Sequence, residues 1–564
     1  MTGTADNSPS SSLAERIAKI DALLMPHGRS DAPGCVAGIA LGGKTIYRKA
    51  FGLASVQHGV ANTPQTRMRI GSTTKHFTCL AALMLAEQGK LDVDAPVSSV
   101  LPDLALPALE GMPTLRQFMS HTSGWRCALD LGSVANGMAL MPKGWQPTMI
   151  ARQQGVNFAP GQGQMYCNSG YHLLSMAIDR AAAMPLEAYL KERVFTPLGM
   201  LDTEGVASDL ISVPGLASLH LPDASGAWRR GMFGTEEIRG EGNLISTVDD
   251  MLRWVAHLRG PKRVGSEEVW RQMLEPVVLS NGLRSVYGLG LYRHPYRGIE
   301  VIHHAGGVMG GNSQMLTVPA YQLDIVLMAN GLPVSMQETA RKIVDALLAE
   351  HLGPEEKKAE VSRFKHLLGT RYHGRSGMTI GFGELPDQLG LCFMDNPPMP
   401  LLRDEGTQLR TGFEDAALGP LVLQTAGLAA DANGRAPEFI ELSDAGNIER
   451  LRKLPEVPPS TRDAGAPLVG RWYSSDLAAT AVIEFDGDSL LFTLRGDYSA
   501  ARRFRLTAYS GDAFGIADAE TGAIRMMLTR GDDDSAAACR FTIDGIRVRK
   551  LEFVREDGTR GDAA

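Results

Sequence analysis

Ser72-Thr73-Thr74-Lys75 sets a hydroxyl and an amine three residues apart. After it the apolar positions Phe77, Leu80, Ala81, Met84 and Leu85 recur at helical intervals, and Gly89 sits where a C-terminal cap belongs. The pattern predicts Ser72 at the start of a long, mostly buried helix. There the hydroxyl meets the positive end of the helix dipole, and its own N–H can point at a developing oxyanion. Lys75 shares that helical face, within reach of the hydroxyl. In apolar surroundings such a lysine can lose its proton or hold a neighbouring anion. The spacing therefore supplies a nucleophile with an activating group. Taken alone, the same residues also fit a helix cap and a solvated lysine. Ser362-Arg363-Phe364-Lys365 repeats the spacing in a charged connecting segment, where it carries no chemistry.

Two further groups can act with that pair. Tyr166-Cys167-Asn168 follows a Pro160-Gly161 turn and leads into a helical run; it is the only Tyr-x-Asn among the twelve tyrosines. A phenol beside a positive charge is pushed towards phenolate and can serve as a general base, although a half-buried tyrosine bonding through its hydroxyl is the ordinary alternative. His304-Ala305-Gly306-Gly307 ends a strand-like run. Glycines on an edge strand let a substrate backbone approach and pair, and the strand offers a second N–H for an oxyanion. His351-Leu352-Gly353 has the same bare pattern but ends a helix.

The elements that must position these residues follow from periodicity. Residues 13–25 have helical spacing. Gly34–Leu41 and Thr45–Gly52 are strand-like and are joined by Gly42-Gly43, a hairpin signal. Helices and loops fill roughly 100–260. Strand-like segments return as VYGLGLYR, GIEVIHHAG, GNSQMLTVP and LDIVLMAN, and a helix follows over Met336–Leu352. Strands at both ends with helices between fit one α/β domain over 13–355. After the charged 351–362 segment, short alternating strands recur with turn signals such as DANG, DAG and DGD, which reads as all-β. Leu368-Gly369-Thr370-Arg371-Tyr372 resembles Val469-Gly470-Arg471-Trp472-Tyr473, with the Pro-rich 454–467 between them. Two similar β-barrel domains, 363–455 and 466–556, are expected from an internal duplication.

Composition narrows the class. The chain has 564 residues, 44% of them apolar and 21% charged, which is ordinary for a folded globular protein. Lys and Arg number 56 and Asp and Glu 63, a formal charge of −7, so there is no bulk electrostatic reason to bind nucleic acid or anionic membranes. No apolar stretch reaches the length of a membrane span, and the first residues do not read as a secretory leader. Six scattered cysteines show neither a disulfide framework nor zinc spacing. A cytoplasmic protein without a metal is expected.

Together, STTK, YCN and HAGG, with LRQFMSHTSGW (115–125) and GEGNLISTVDDMLRW (240–254), resemble the penicillin-recognising serine hydrolases, which include class C β-lactamases, D-stereospecific peptidases and related esterases. The resemblance covers roughly residues 30–350. It implies a β-lactamase/transpeptidase-like domain, an antiparallel sheet flanked by helices. The third motif is often Lys-Thr-Gly in that family; the His304 version, followed by two barrels, is similar to the three-domain bacterial D-aminopeptidases. Lys44-Thr45-Ile46 lies in the hairpin and is no substitute.

The resemblance implies that Ser72 is acylated and that Lys75 and Tyr166 share its proton and return it to the leaving amine. Asn168 orients Lys75 and a substrate carbonyl. His304 lines the pocket and supports Tyr166 electrostatically. The N–H groups of Ser72 and Gly307 form the oxyanion hole, with Gly306 beside them, and no metal or organic cofactor takes part. An aminopeptidase also needs a partner for the substrate amine. In the resembling proteins a last-barrel loop reaches the active-site mouth, which here points to 511–525 with Asp518 and Glu520; Glu241 is another acidic candidate. The expected substrates are small D-amino-acid peptides, amides or esters, with β-lactams as inhibitors and a homodimer as the assembly. An esterase or D-amino-acid amidase is the alternative within the same chemistry. A non-catalytic binding protein is a more distant one.

Overall fold

The computed structural model describes residues 12–107, 109, 111–403, 407–412, 421–519, 526–531 and 539–556. They gather into two compact units. The first holds the described residues up to Leu91, Ile178–Pro276 and Val286–Glu355. The second holds Asp92–Ala177, Val277–Ser285 and the described residues from Glu356 onward.

The first unit is built on a six-stranded antiparallel sheet. Its strands are β1 (Cys35–Leu41), β2 (Lys44–Phe51), β3 (Tyr292–Tyr296), β4 (Ile299–Val308), β5 (Gly311–Val318) and β6 (Leu323–Ala329), in the spatial order β3-β4-β5-β6-β1-β2. The Gly42-Gly43 hairpin forms as the sequence predicts. The first of the four later segments differs. Over Gly288–Leu291 the chain turns back on itself (Gly288 N–H to Leu291 O, 2.9 Å), and Leu289 N–H bonds Met273 O at 3.0 Å, so no ladder begins before Tyr292.

Helices α1 (Leu13–Leu24) and α4 (Met336–Leu348) cover one face of the sheet. Ile20, Leu24, Ile343, Val344 and Leu347 of these helices pack on Ile39, Val301, Leu316, Ile325 and Leu327. Each such side chain, taken fully out of water, contributes about 1.5–3 kcal/mol. Helix α2 (Lys75–Glu87) carries the serine motif, and α3 (Val248–Arg259) packs against β1 and β6 on the opposite face. Gly89 ends α2 as its position predicts, with Lys90 N–H bonded to Leu85 O at 2.9 Å.

In the second unit, two antiparallel barrels follow a helical lobe. The first runs from Arg371–His373 to Asn447–Lys453. It closes through the pairing of Met399–Arg403 with Gln408–Thr411, and the two-residue strand Lys357–Lys358 adds to its outside. The second runs from Gly470–Ser474 to Leu551–Arg555 and is closed by those two strands. The sequence echo has a structural counterpart. Each barrel is preceded by a short helix and a 3-10 turn (Val361–Phe364 then Lys365–Leu367; Thr461–Gly465 then Ala466–Leu468), and each first strand buries its aromatic, Tyr372 or Trp472, completely.

No described helix is long and apolar enough to cross a membrane. Among the described residues, no group of three or more His, Cys, Asp or Glu is arranged to hold a metal. All six cysteines are free thiols.

Candidate active site

Ser72 stands in a single 3-10 turn, Gly71–Thr74, that runs directly into α2. The turn is held from two sides. On the β4–β5 side, Ser313 Oγ donates to Ile70 O at 2.8 Å and lies 3.1 Å from Thr73 Oγ1. On the other side, Ile70 N–H bonds Leu244 O at 3.1 Å, Leu244 N–H bonds Thr74 Oγ1 at 3.2 Å, and Thr78 Oγ1 donates to Gly240 O at 2.8 Å. The 240–244 stretch of the GEGNL motif therefore clamps the serine turn.

Two glycines permit this closeness. Gly71 adopts φ +51°, and a Cβ on it would stand 3.0 Å from Gly307 O and 3.1 Å from Gly307 N. A Cβ on Gly306 would stand 1.8 Å from Ile70 O, inside van der Waals contact. β3 pairs with β4 only as far as His303. From His304 to Val308 that edge of β4 has no strand partner among the described residues, and Gly307 is exposed. An extended substrate can add there as a strand.

Lys75 has no solvent exposure. Its Nζ donates to Ser72 Oγ at 3.0 Å and to Glu241 O at 2.7 Å. A solvated lysine is therefore excluded. The cap alternative also fails, since neither the 3-10 turn nor α2 has a side-chain cap at its start. Ser72 itself is half-buried. A buried amine costs several kcal/mol to desolvate unless acceptors hold it, and here Ser72 Oγ is one of them.

His304 differs from expectation. Its side chain is fully buried, with Nδ1 2.6 Å from Ala305 O and Nε2 3.0 Å from Tyr287 Oη. A carbonyl only accepts, so Nδ1 carries the hydrogen and Nε2 accepts from the phenol. Burial first, then the Lys75 charge, push its pKa well below the ordinary imidazole value. A buried imidazole held neutral in this way is not itself a positive charge. It braces β4 behind the glycine edge.

In the second unit, Tyr166 is buried and lies just before the helix Asn168–Ala182, whose first residue, Asn168, is half-buried. His121 holds the segment at two points: Cys167 N–H donates to its Nδ1 at 3.1 Å and Met165 N–H to its carbonyl at 2.9 Å. The two rings lie 4.0 Å apart. Over the Tyr166 ring, 5.6 Å from its centre, sits the Arg547 guanidinium from the last barrel.

The segment of that barrel beside Tyr166 is thus Gly545–Lys550. The lobe binds it tightly. Arg126 donates to Arg549 O at 2.9 Å and to Lys550 O at 2.8 Å while pairing with Asp476 at 2.9 Å. Asn157 accepts from Arg549 N–H at 2.8 Å and donates to Arg547 O at 3.2 Å. Of the 511–525 segment expected there, Ala513–Asp518 is a barrel strand with Asp518 opposite Phe504, and Glu520 lies outside the described residues. Residues 520–525 lie outside the described residues, and 545–550 is the last-barrel stretch that the lobe holds beside Tyr166. A sequence signal exists in hindsight: the basic run Arg547-Val548-Arg549-Lys550 interrupts an otherwise mixed barrel.

The family profile described as Beta-lactamase matches residues 15–349. The chain belongs to the beta-lactamase family. Among curated relatives, a D-aminopeptidase of Cereibacter sphaeroides is 26% identical over 460 residues, covering 80% of this chain and 81% of the relative. A D-aminopeptidase of Gluconobacter oxydans is 26% identical over 384 residues, covering 66% and 69%. The solved structure of the octameric penicillin-binding protein homologue from Pyrococcus abyssi superposes with a TM-score of 0.50 at 21% identity, covering 78% of this chain and 98% of that one. This last likeness is one of fold. In this beta-lactamase-family chain the matched region contains Ser72, Lys75, Tyr166, Asn168 and the glycine edge, whereas Arg547 lies beyond it.

Proposed function

We propose that the protein is a serine hydrolase that releases an N-terminal D-amino acid from small peptides or amides through an acyl-enzyme. The observation that carries the reading is the 3.0 Å hydrogen bond from the fully buried Lys75 Nζ to Ser72 Oγ, next to an open glycine strand edge. The D-aminopeptidase relatives support the substrate class. Ser72 attacks the scissile carbonyl, and Lys75 and Tyr166 take its proton and return it to the leaving amine. The N–H groups of Ser72 and Gly307 stabilise the oxyanion, Asn168 orients the substrate carbonyl, and water then releases the acid.

For the substrate's ammonium, Glu241 is the acidic candidate tied to the nucleophile, through its own carbonyl on Lys75. Asp518 and Glu520 remain proposals from the last barrel. We place the enzyme in the cytoplasm, in keeping with its free thiols. β-Lactams are proposed as acylating inhibitors and a homodimer as the assembly, which sedimentation velocity decides.

One observation favours the second reading, an esterase or D-amino-acid amidase. The last-barrel segment beside Tyr166 presents Arg547, and a guanidinium is no partner for an ammonium. The test is initial rates on D-alanine p-nitroanilide and its N-acetylated form, with the L-isomer as control. Turnover of the free-amine D-compound alone establishes the aminopeptidase. Equal or better turnover of the acetylated compound or a plain ester establishes the alternative.

A further inference from the structure

We propose that Arg547, delivered by the last barrel, is a positioning residue for the reaction: its charge over the Tyr166 ring stabilises the phenolate that takes the serine proton. The inference rests on the proposed reading of Tyr166 as a base.

Three features support it. The guanidinium carbon lies 5.6 Å from the Tyr166 ring centre, close enough for a cation to bias a phenol towards its anion. Its direction is fixed, because Arg547 Nη2 donates to Asp130 Oδ1 and its backbone carbonyl is held by Asn157. The guanidinium also stays charged. Burial works against its charge, but the Asp130 carboxylate outweighs burial and holds its pKa above the ordinary value.

The other titratable groups around Tyr166 do not supply this charge. His121 accepts a backbone N–H at Nδ1. The Cys127 thiol is pushed up by burial and stays protonated while bonding Cys167. Asp130 carries the opposite sign. By the proposed reading, Lys75 shares the serine proton with Tyr166. A residue from outside the matched family region would then complete the catalytic set, which gives the last barrel a role in chemistry as well as in packing.

The test reads the acidic limb of the kcat/KM profile in Arg547→Met, Arg547→Lys, Asp130→Asn and Tyr166→Phe. Loss of the cation raises the pKa of the phenol. In Arg547→Met the limb is therefore expected to move up by about one pH unit, about a tenfold loss on the limb. Arg547→Lys is expected to restore it. Asp130→Asn, which keeps the cation and removes its counter-charge, is expected to move the limb down. A difference absorbance titration against Tyr166→Phe should show the same displacements in tyrosinate formation.

A limb unmoved in Arg547→Met, or equal loss in Arg547→Met and Arg547→Lys without any pH shift, overturns the proposal. If Arg547→Met does not fold, Asp130→Asn decides alone: a downward shift sustains the proposal and no shift ends it. Full activity in Tyr166→Phe would instead overturn the underlying reading of the base, so the two failures are distinguishable.

Discussion

Lys75 Nζ and Ser72 Oγ share a 3.0 Å hydrogen bond in which the lysine is fully buried and the serine half-exposed. The asymmetry matters: the amine is kept from water while the residue it touches is only partly buried. In the proposed mechanism this leaves Ser72 within reach of a substrate while Lys75 is shielded from bulk solvent.

Replacing Lys75 with methionine keeps most of the buried volume and removes the amine. We expect kcat/KM to fall by about 10³-fold or more, with a melting temperature within a few degrees of the parent. Stopped-assay kinetics with differential scanning calorimetry check this. A variant that folds and keeps a tenth of the activity would assign the proton transfer elsewhere.

Gly306→Ala drives a methyl group to within 1.8 Å of Ile70 O. Either β4 or the serine turn must shift, at a cost of about 1–3 kcal/mol. The expected result is a lower melting temperature with a disproportionate loss of kcat. Gly307→Ala, whose added carbon meets nothing within 4 Å, should be far milder in stability.

His304 is expected to be neutral, with the proton on Nδ1, across the working range, because burial and the nearby Lys75 charge both disfavour the cation. Long-range ¹H–¹⁵N correlation spectra of the imidazole should show that tautomer unchanged between pH 8 and 5. Titration near pH 6.5 would contradict the buried geometry. Tyr287→Phe should cost about 1–2 kcal/mol of stability through the lost donor to Nε2.

His76 predicts an acid-labile fold. Burial holds its pKa down at about 3, and neither ring nitrogen has a partner among the described residues. Unfolded, it binds a proton near pH 6.5. Between these values the unfolded chain carries a proton that the fold does not, so stability falls as pH drops from about 6.5 towards 3, by several kcal/mol. His76→Phe, in a site already stacked on Trp254, should flatten that dependence and raise stability at pH 5. Urea titrations at pH 5 and 8 decide it; a parent protein equally stable at both values would contradict the argument.

Much of this was legible in the sequence because it is local. An i, i+3 pair on a helix is fixed by helical geometry, so Ser72 and Lys75 could be brought together on spacing alone. The alternation and turn signals of the barrels are equally local, as is the echo around Tyr372 and Trp472. The unread features depend on distant partners. Nothing near Arg547 in sequence points to Asp130 or Tyr166, which lie more than 380 positions away, and the buried pairing of Arg126 with Asp476 spans 350. The burial of the His304 side chain depends on its phenol partner, Tyr287, in a segment that reads as strand but folds as a turn. Charged residues at the surface and in the core are written alike; only the fold separates them.

The central claim is that Ser72 is the acylated residue. Acid-quenching the enzyme seconds after mixing with a D-alanyl ester, then measuring intact mass and mapping the adduct by peptide fragmentation, tests it directly. The account predicts a single acyl adduct on Ser72, absent from Ser72→Ala. An adduct on another residue, or turnover preserved in Ser72→Ala, would contradict it.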